Sequence, residues 1–223
     1  MALPLVLLPG LDGTGLLFEP LTKSAPADIR PIVIPLPELA AYDQLFDAIR
    51  AQLPAEPFAI LGDSFAGPLA LMVARACSDR VVAVILCNTF ASPPLTRLLR
   101  FFPWKLIFLL PRPRWAIRRW FVGRDASPEL VSLARIAVAR TPRRILAARM
   151  RAVFSLPRPD FRIDAPMLVL SGSEDVFVRT DVRELERIAS RVVHRSIRGP
   201  HLLLQAAPVE AWRAITAFLN EVT

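Results

Sequence analysis

The sequence predicts an α/β fold of about six mostly parallel strands with helices on both faces, interrupted by an all-helical segment. Three observations carry this. Short, wholly apolar runs alternate with amphipathic runs, as buried parallel strands and their crossover helices do. Hydrophobic residues make up 53% of 223 and charged residues 22%, enough apolar mass for a full core and too much for a disordered chain. Net charge is +8, yet Ser92–Ala165 holds 16 basic and 4 acidic residues, leaving the remainder at −4. That division predicts a core of residues 1–91 and 166–223 and an Arg-rich helical cap, or lid, of residues 92–165.

Each core element has a local reason. Leu3–Leu8 is a continuous apolar run stopped by Pro9-Gly10. Met1–Gly10 lacks a basic start and an Ala-x-Ala-like cleavage site, so it reads as a strand and not as a signal peptide. Thr14–Lys23 is a helix candidate and Pro31–Leu36 the second strand. In Tyr42–Leu53, the residues Leu45, Phe46, Ile49 and Leu53 form one helical stripe. Phe58–Leu61 and Val81–Cys87 read as strands around a helix at Phe65–Ala76. Met167–Leu170 and Val192–Ile197 supply two more strands, Arg179–Ala189 and Pro208–Val222 two more helices. Between them, Leu95–Leu110, Arg114–Phe121, Pro128–Arg140 and Pro142–Phe154 look helical, with Pro128 and Pro142 where a first helical turn tolerates proline. Pro93–Pro94 opens this segment, and Pro157, Pro159 and Pro166 close it.

Composition excludes several classes. Eight glycines and two cysteines, Cys77 and Cys87, exclude collagen-like and disulfide-scaffold chains, and point to a reducing, cytoplasmic setting. No apolar run reaches the 18 or so residues of a membrane span, so no transmembrane segment is expected. Cysteine and histidine are too few and too badly spaced for zinc, and no metal or cofactor is implied.

The chemistry concentrates at strand ends. The third strand runs into Gly62-Asp63-Ser64-Phe65-Ala66-Gly67, a strand–turn–helix with small residues two before and two after Ser64. A nucleophile on a strained turn needs that pattern, because the strand and helix approach closely. Asp63 is the competing nucleophile, but Leu61 and Phe65 are too bulky for it; a plain helix-capping serine is the structural alternative. The strand Met167–Leu170 ends in Ser171-Gly172-Ser173-Glu174-Asp175, which offers Asp175 as the acid and Glu174 as its rival. His201 follows the last strand in Gly199-Pro200-His201, whereas His194, the other histidine, lies within that strand and reads as structural. The order Ser…Asp…His belongs to one fold type. Gly10-Leu11-Asp12-Gly13-Thr14-Gly15 follows the first strand, and the N–H groups of Leu11 and Phe65 suit an oxyanion hole. A phosphate-binding loop is the alternative there, without the usual Gly spacing.

These residues carry a resemblance. Leu8-Pro9-Gly10-Leu11-Asp12-Gly13-Thr14-Gly15, the Gly62–Pro68 turn, Gly172-Ser173-Glu174-Asp175 and Gly199–Gln205 make the chain similar to the α/β-hydrolase superfamily, of the small bacterial serine esterase type with a helical cap. The resemblance covers the whole chain. It departs at Pro9, where His is frequent, and in having no antiparallel hairpin before the first strand. It implies a Ser64–His201–Asp175 triad hydrolysing a small-molecule ester or thioester through an acyl-enzyme. Acyl transfer or other non-hydrolytic chemistry on the same fold is the first alternative. A binding module working through the basic cap is the second. Nucleic acid is not expected, since the cap's arginines alternate with Leu, Ile, Val and Ala as on amphipathic helices. A membrane surface fits better, through Phe101-Phe102-Pro103-Trp104-Lys105 and Trp115–Trp120. By analogy with carrier-linked esterases of the family, a stripe of Arg140, Arg144 and Arg151 is a candidate contact for an acidic acyl carrier protein, with a solvated helix face as the simpler reading.

Overall fold

The computed structural model describes residues 2–93, 96–111 and 113–222. Its six strands are β1 (Leu3–Leu8), β2 (Ile29–Val33), β3 (Phe58–Asp63), β4 (Val81–Cys87), β5 (Met167–Gly172) and β6 (Val192–Ile197). All pair in parallel in the order β2-β1-β3-β4-β5-β6. The chain order reverses direction at β1, so the strand ends beside β1 and β3 open onto a crevice where such sheets place their sites.

Alternation along the strands sorts the core into two layers. Val6, Leu8, Ile60, Val84, Leu86, Met167 and Val169 face one side. There they meet α2 (Tyr42–Arg50), α3 (Gly67–Ala76) and α8 (Val182–Ile188). Leu5, Leu7, Leu61, Ile85, Leu168 and Leu170 face the other. That face is covered by α1 (Glu19–Lys23), α9 (Leu203–Ala206) and α10 (Pro208–Val222). On α10 the buried residues Ala211, Trp212, Ile215, Phe218 and Leu219 fall on one helical stripe. Trp212 also donates its indole N–H to the Leu21 carbonyl at 2.8 Å, so its polar atom is satisfied in the core.

Some element boundaries differ from expectation for local reasons. β2 covers Ile29–Val33 and not Pro31–Leu36. Pro31 is tolerated inside it because β2 is an edge strand. Beyond it the chain turns toward the loop after β1, where Leu36 N–H bonds the Gly13 carbonyl at 2.8 Å. The helix expected at Thr14–Lys23 is a 3₁₀ turn at Leu16–Phe18 followed by α1.

Between β4 and β5 the described residues hold helices and turns, apart from one parallel bridge from Ile163 to Ala189. Pro94 and Leu95, the expected start of this segment, lie outside the described residues. The expected long helix is divided into a 3₁₀ turn at Arg97–Phe101 and α4 (Trp104–Leu109). Phe102, held extended at φ −62°, ψ 142° ahead of Pro103, separates them. Then come α5 (Arg114–Ile117), which continues as a π-helical turn at Arg118–Val122, α6 (Pro128–Arg140) and α7 (Arg143–Ser155). α7 is not merely laid over the core: Val153 and Phe154 join the same apolar layer as α2 and α3.

Candidate active site

Ser64 begins the turn after β3 with φ 49°, a left-handed conformation that non-glycine residues seldom adopt. The turn closes tightly on its strand. A Cβ on Gly62 would stand 2.7 Å from the Ala66 carbonyl oxygen and 2.9 Å from the Ala70 Cβ, so only glycine fits two residues before Ser64. The strain exposes the hydroxyl above the sheet, and Ser64 Oγ lies 2.9 Å from His201 Nε2.

His201 occupies the loop after β6 and is buried. Its Nδ1 lies 2.8 Å from Asp175 Oδ2. The other Asp175 oxygen accepts the N–H groups of Phe177 at 2.8 Å and Val178 at 3.2 Å, which fixes the carboxylate's orientation. The structure thus brings Ser64, His201 and Asp175 into one hydrogen-bonded line. Glu174 points away into an exposed ion pair with Arg198 at 3.2 Å. His194 is exposed on β6, and its ring meets the Ser171 hydroxyl at 3.1 Å. Phe121 and Phe177 stack at 4.5 Å, and both set their rings edge-on to His201.

The loop after β1 runs beside Ser64: a Cβ on Gly10 would be 3.6 Å from that of Ser64. Leu11 and Phe65, the expected oxyanion donors, are both held from behind. Tyr42 stacks on the Phe65 ring at 4.8 Å and donates its hydroxyl to the Phe65 carbonyl at 2.9 Å. Burial pushes the Tyr42 hydroxyl well above its usual range, so it remains a donor. Arg149, on α7, is only 1% exposed. Its guanidinium donates to the carbonyls of Leu11 at 2.8 Å, Pro37 at 2.7 Å and Leu39 at 3.0 Å. It also lies over the Phe65 ring, 5.6 Å from the centroid. Gly13 admits it: at φ 71° a Cβ there would sit 2.3 Å from Nη1. Burial lowers the Arg149 pKa, and Asp12 opposes that fall. Thr141, just before α7, donates its hydroxyl to the Asp12 carbonyl.

Sequence reasoning missed this arginine's role, leaving it among the 16 basic residues of the segment 92–165. It also missed Asn88 and Thr89. Asn88, at φ 44° after β4, donates to the carbonyls of Pro200 at 3.1 Å and His201 at 2.7 Å. It accepts the Gly172 N–H at 2.7 Å, tying the ends of β4 and β5 to the histidine loop. Thr89 donates its hydroxyl to the Ser64 carbonyl. Their place just past a strand's carboxyl end was the available signal.

Asp63 is almost fully buried beside Ser64. Burial, the largest cause, raises its pKa to about 7, and the nearby Asp12 and Asp175 add to the rise while His201 opposes it. Gln205 faces Asp63. Yet Asp63 Oδ1 and both Gln205 side-chain polar atoms lack a hydrogen bond of ordinary geometry among the described residues. A cleft of about 1390 Å³ is bordered by Arg119, Val122–Leu130, Glu174, Arg198–Pro200 and Gln205, and its lining includes none of Ser64, Asp175 or His201.

Comparison with known proteins gives the same frame. The chain is similar in structure to an enol-lactonase from Burkholderia xenovorans LB400, with TM-score 0.71 and 20% identity over 100% of this chain and 91% of that one. A thermophilic esterase from Thermogutta terrifontis matches with TM-score 0.77 and 21% identity, covering 100% and 91% of the two chains. MenH from S. aureus matches with TM-score 0.77 and 17% identity, covering 98% and 94%. These likenesses show the fold. No curated protein sequence matches the chain. The model of the family described as serine aminopeptidase, S33, matches residues 39–198. With most of its length matched and with this sheet, the chain belongs to the serine aminopeptidase S33 family of α/β hydrolases.

Proposed function

We propose that this hydrolase cleaves carboxylic esters or thioesters through a Ser64–His201–Asp175 triad and an acyl-enzyme. The observation that supports it most is the unbroken line from Ser64 Oγ to His201 Nε2 at 2.9 Å and from His201 Nδ1 to Asp175 Oδ2 at 2.8 Å. In this reading His201 takes the Ser64 proton as Oγ attacks the acyl carbon, then gives it to the leaving alcohol or thiol. Asp175 holds the tautomer with the proton on Nδ1 and stabilises the imidazolium. The N–H groups of Leu11 and Phe65 receive the developing oxyanion. Water, activated by the same histidine, releases the acid.

The helical segment 92–165 would act as the cap over the core formed by 1–91 and 166–223. Phe121, which reaches the edge of His201, would border the acyl path. A carrier-borne acyl group is one form the substrate can take, met by Arg140, Arg144 and Arg151. Glu38 already engages Arg144 at 2.7 Å, which leaves that stripe with less free charge than the sequence suggests. Two buried free thiols, Cys77 and Cys87, accord with a reducing cytoplasm.

A fluorophosphonate should label the wild-type protein and not Ser64→Ala. Hydrolysis across a series of chromogenic esters and acyl thioesters should fall by about 10⁴ to 10⁶ in that variant. Asp175→Asn should be impaired far more than Glu174→Gln. Labelling that persists in Ser64→Ala defeats the assignment, and ester products in the presence of added alcohol would redirect it to acyl transfer.

A further inference from the structure

The outer face of the segment from Thr96 to Gly123 is unlike the rest of the surface. Ten of the fourteen exposed large apolar side chains among the described residues lie between Leu98 and Phe121. Leu98 and Phe101 are each 72% exposed, Trp115 65%, and Leu106 and Leu110 59%. A protein surface rarely gathers apolar side chains so densely without something to cover them. The inner side of the segment is already committed. Trp104 stacks on Phe154 of α7 at 5.4 Å and donates its indole N–H to the Leu99 carbonyl. Ile117 and Val122 are buried against α6 and Leu202. The apolar residues outside keep large exposed areas, even where rings meet one another as in Trp115–Trp120 and Phe121–Phe177.

Charge identifies the occupant. Positions 96–123 contain no Asp or Glu, while Arg97, Arg100, Lys105, Arg114, Arg118 and Arg119 are all exposed. Among the described residues no carboxylate forms an ion pair with any of the six. A second copy of the chain is disfavoured as the partner, because two such faces would bring like charges together in a closing interface. Exposed Phe, Leu and Trp interleaved with Arg and Lys is the composition that lies at a lipid interface, with the apolar groups among the upper acyl carbons and the cations at the headgroups.

We propose that residues 97–111 and 113–121 form a docking surface for an anionic lipid bilayer, which the protein meets from one side without crossing it. No helix among the described residues is long and apolar enough to span a membrane, so attachment is peripheral and reversible. The face continues to Phe121 and its stacked partner Phe177, both edge-on to His201, so a docked molecule would turn the candidate active site toward the lipid. The docking itself does not depend on the hydrolytic reading.

The full chain, carrying Ser64→Ala so that no lipid is consumed, would be floated with vesicles of phosphatidylcholine containing about one-third phosphatidylglycerol, and with pure phosphatidylcholine. Partition should be at least about tenfold stronger onto the anionic vesicles at about 0.05 M salt, and should weaken at about 0.5 M as the headgroup attraction is screened. Trp emission should shift to the blue on binding, as Trp115 enters the interface. Leu98→Ser/Phe101→Ser/Leu106→Ser, at exposed positions where the fold loses little, should cut partition at least about tenfold with an unchanged melting temperature. Failure to bind anionic vesicles, or undiminished binding by the triple variant, overturns the proposal. So does a concentration-dependent dimer that the triple variant abolishes in the absence of lipid, or capture of an acidic protein such as an acyl carrier with no vesicle binding.

Discussion

Replacing Arg149 tests whether the helical segment holds the loop after β1, to which the proposed mechanism gives an oxyanion donor. Arg149→Met keeps most of the side chain's volume and removes three charged hydrogen bonds of 2.7 to 3.0 Å to Leu11, Pro37 and Leu39. Each such bond contributes about 1.5–3 kcal/mol, but the guanidinium's lost hydration, several kcal/mol, disappears with it. Three carbonyls left without donors then set the balance, and a net loss of about 2–4 kcal/mol follows. For a domain of this size that lowers the melting temperature by about 5–15 °C. The functional effect is separable. Released from Arg149, the Leu11–Asp12 peptide can turn, and Leu11, whose N–H lies in the preceding peptide, loses the anchor that fixes it beside Ser64; in the proposed mechanism, removal of one oxyanion donor costs about 10²–10³ in rate. The expected result is a kcat lowered about 10- to 100-fold with KM nearly unchanged, slower fluorophosphonate labelling, and partial recovery in Arg149→Lys. Kinetics would be measured well below the variant's melting temperature, with circular dichroism confirming the fold. A folded Arg149→Met with wild-type kcat would refute the reasoning.

Two further perturbations follow. Asp63 keeps its proton to about pH 7 when folded, because of burial above all, whereas the unfolded chain releases it near pH 4. Folding then takes up a proton between these values, so stability falls as pH rises from about 4 to 7, by an upper limit of about 4 kcal/mol. Asp63→Asn cannot ionise and should raise the melting temperature at pH 8 much more than at pH 4.5; equal shifts at both would contradict a buried, reluctant carboxylate. Asn88→Gly keeps the left-handed backbone but loses the bonds to Pro200, His201 and Gly172. Its kcat should drop tenfold or more as His201 loses support; full activity would show that only the backbone conformation matters.

The parts legible in the sequence are those governed by short-range rules. The wholly apolar run Val81–Cys87 coincides with β4, since a strand buried on both faces leaves no polar alternation to misread. Pro128 and Pro208 mark the starts of α6 and α10 because proline fixes the first-turn backbone. Ser64 stood out because its turn demands small flanking residues. What was not legible depends on distant pairs. Arg149 meets Leu11 across 138 positions, and its neighbours Arg143, Arg144 and Arg151 share its composition without sharing its burial. A helical stripe fixes relative angles, not which face turns inward. The basic cluster was therefore recognised as charge, while the arginine within it that reaches the catalytic loop was not singled out. β2 was displaced because Pro31 looks like a strand's edge in sequence, whereas an edge strand accepts it inside.

The same contacts limit how the helical segment can move. Thr141 and Arg149 bind the consecutive carbonyls of Asp12 and Leu11, and Val153 and Phe154 are part of the sheet's own apolar layer. Swinging the whole segment away would break these bonds and expose that layer, so α7 belongs mechanically to the core. The described residues of the stretch from Arg97 to Val122 are held at other points: by the Trp104–Phe154 stack, by the Arg97 bond to the Leu156 carbonyl at 2.9 Å, by the Leu202 N–H to the Phe121 carbonyl at 2.8 Å, and by Ile117 and Val122 buried against α6 and Leu202. It is also the stretch with the exposed apolar and cationic face. In the proposed mechanism, a path to Ser64 would open through this outer part, while α7 keeps its bonds to the loop after β1. On the proposed reading, a helical segment divided in this way would meet a surface through its outer part and leave the Leu11 and Phe65 N–H groups in place.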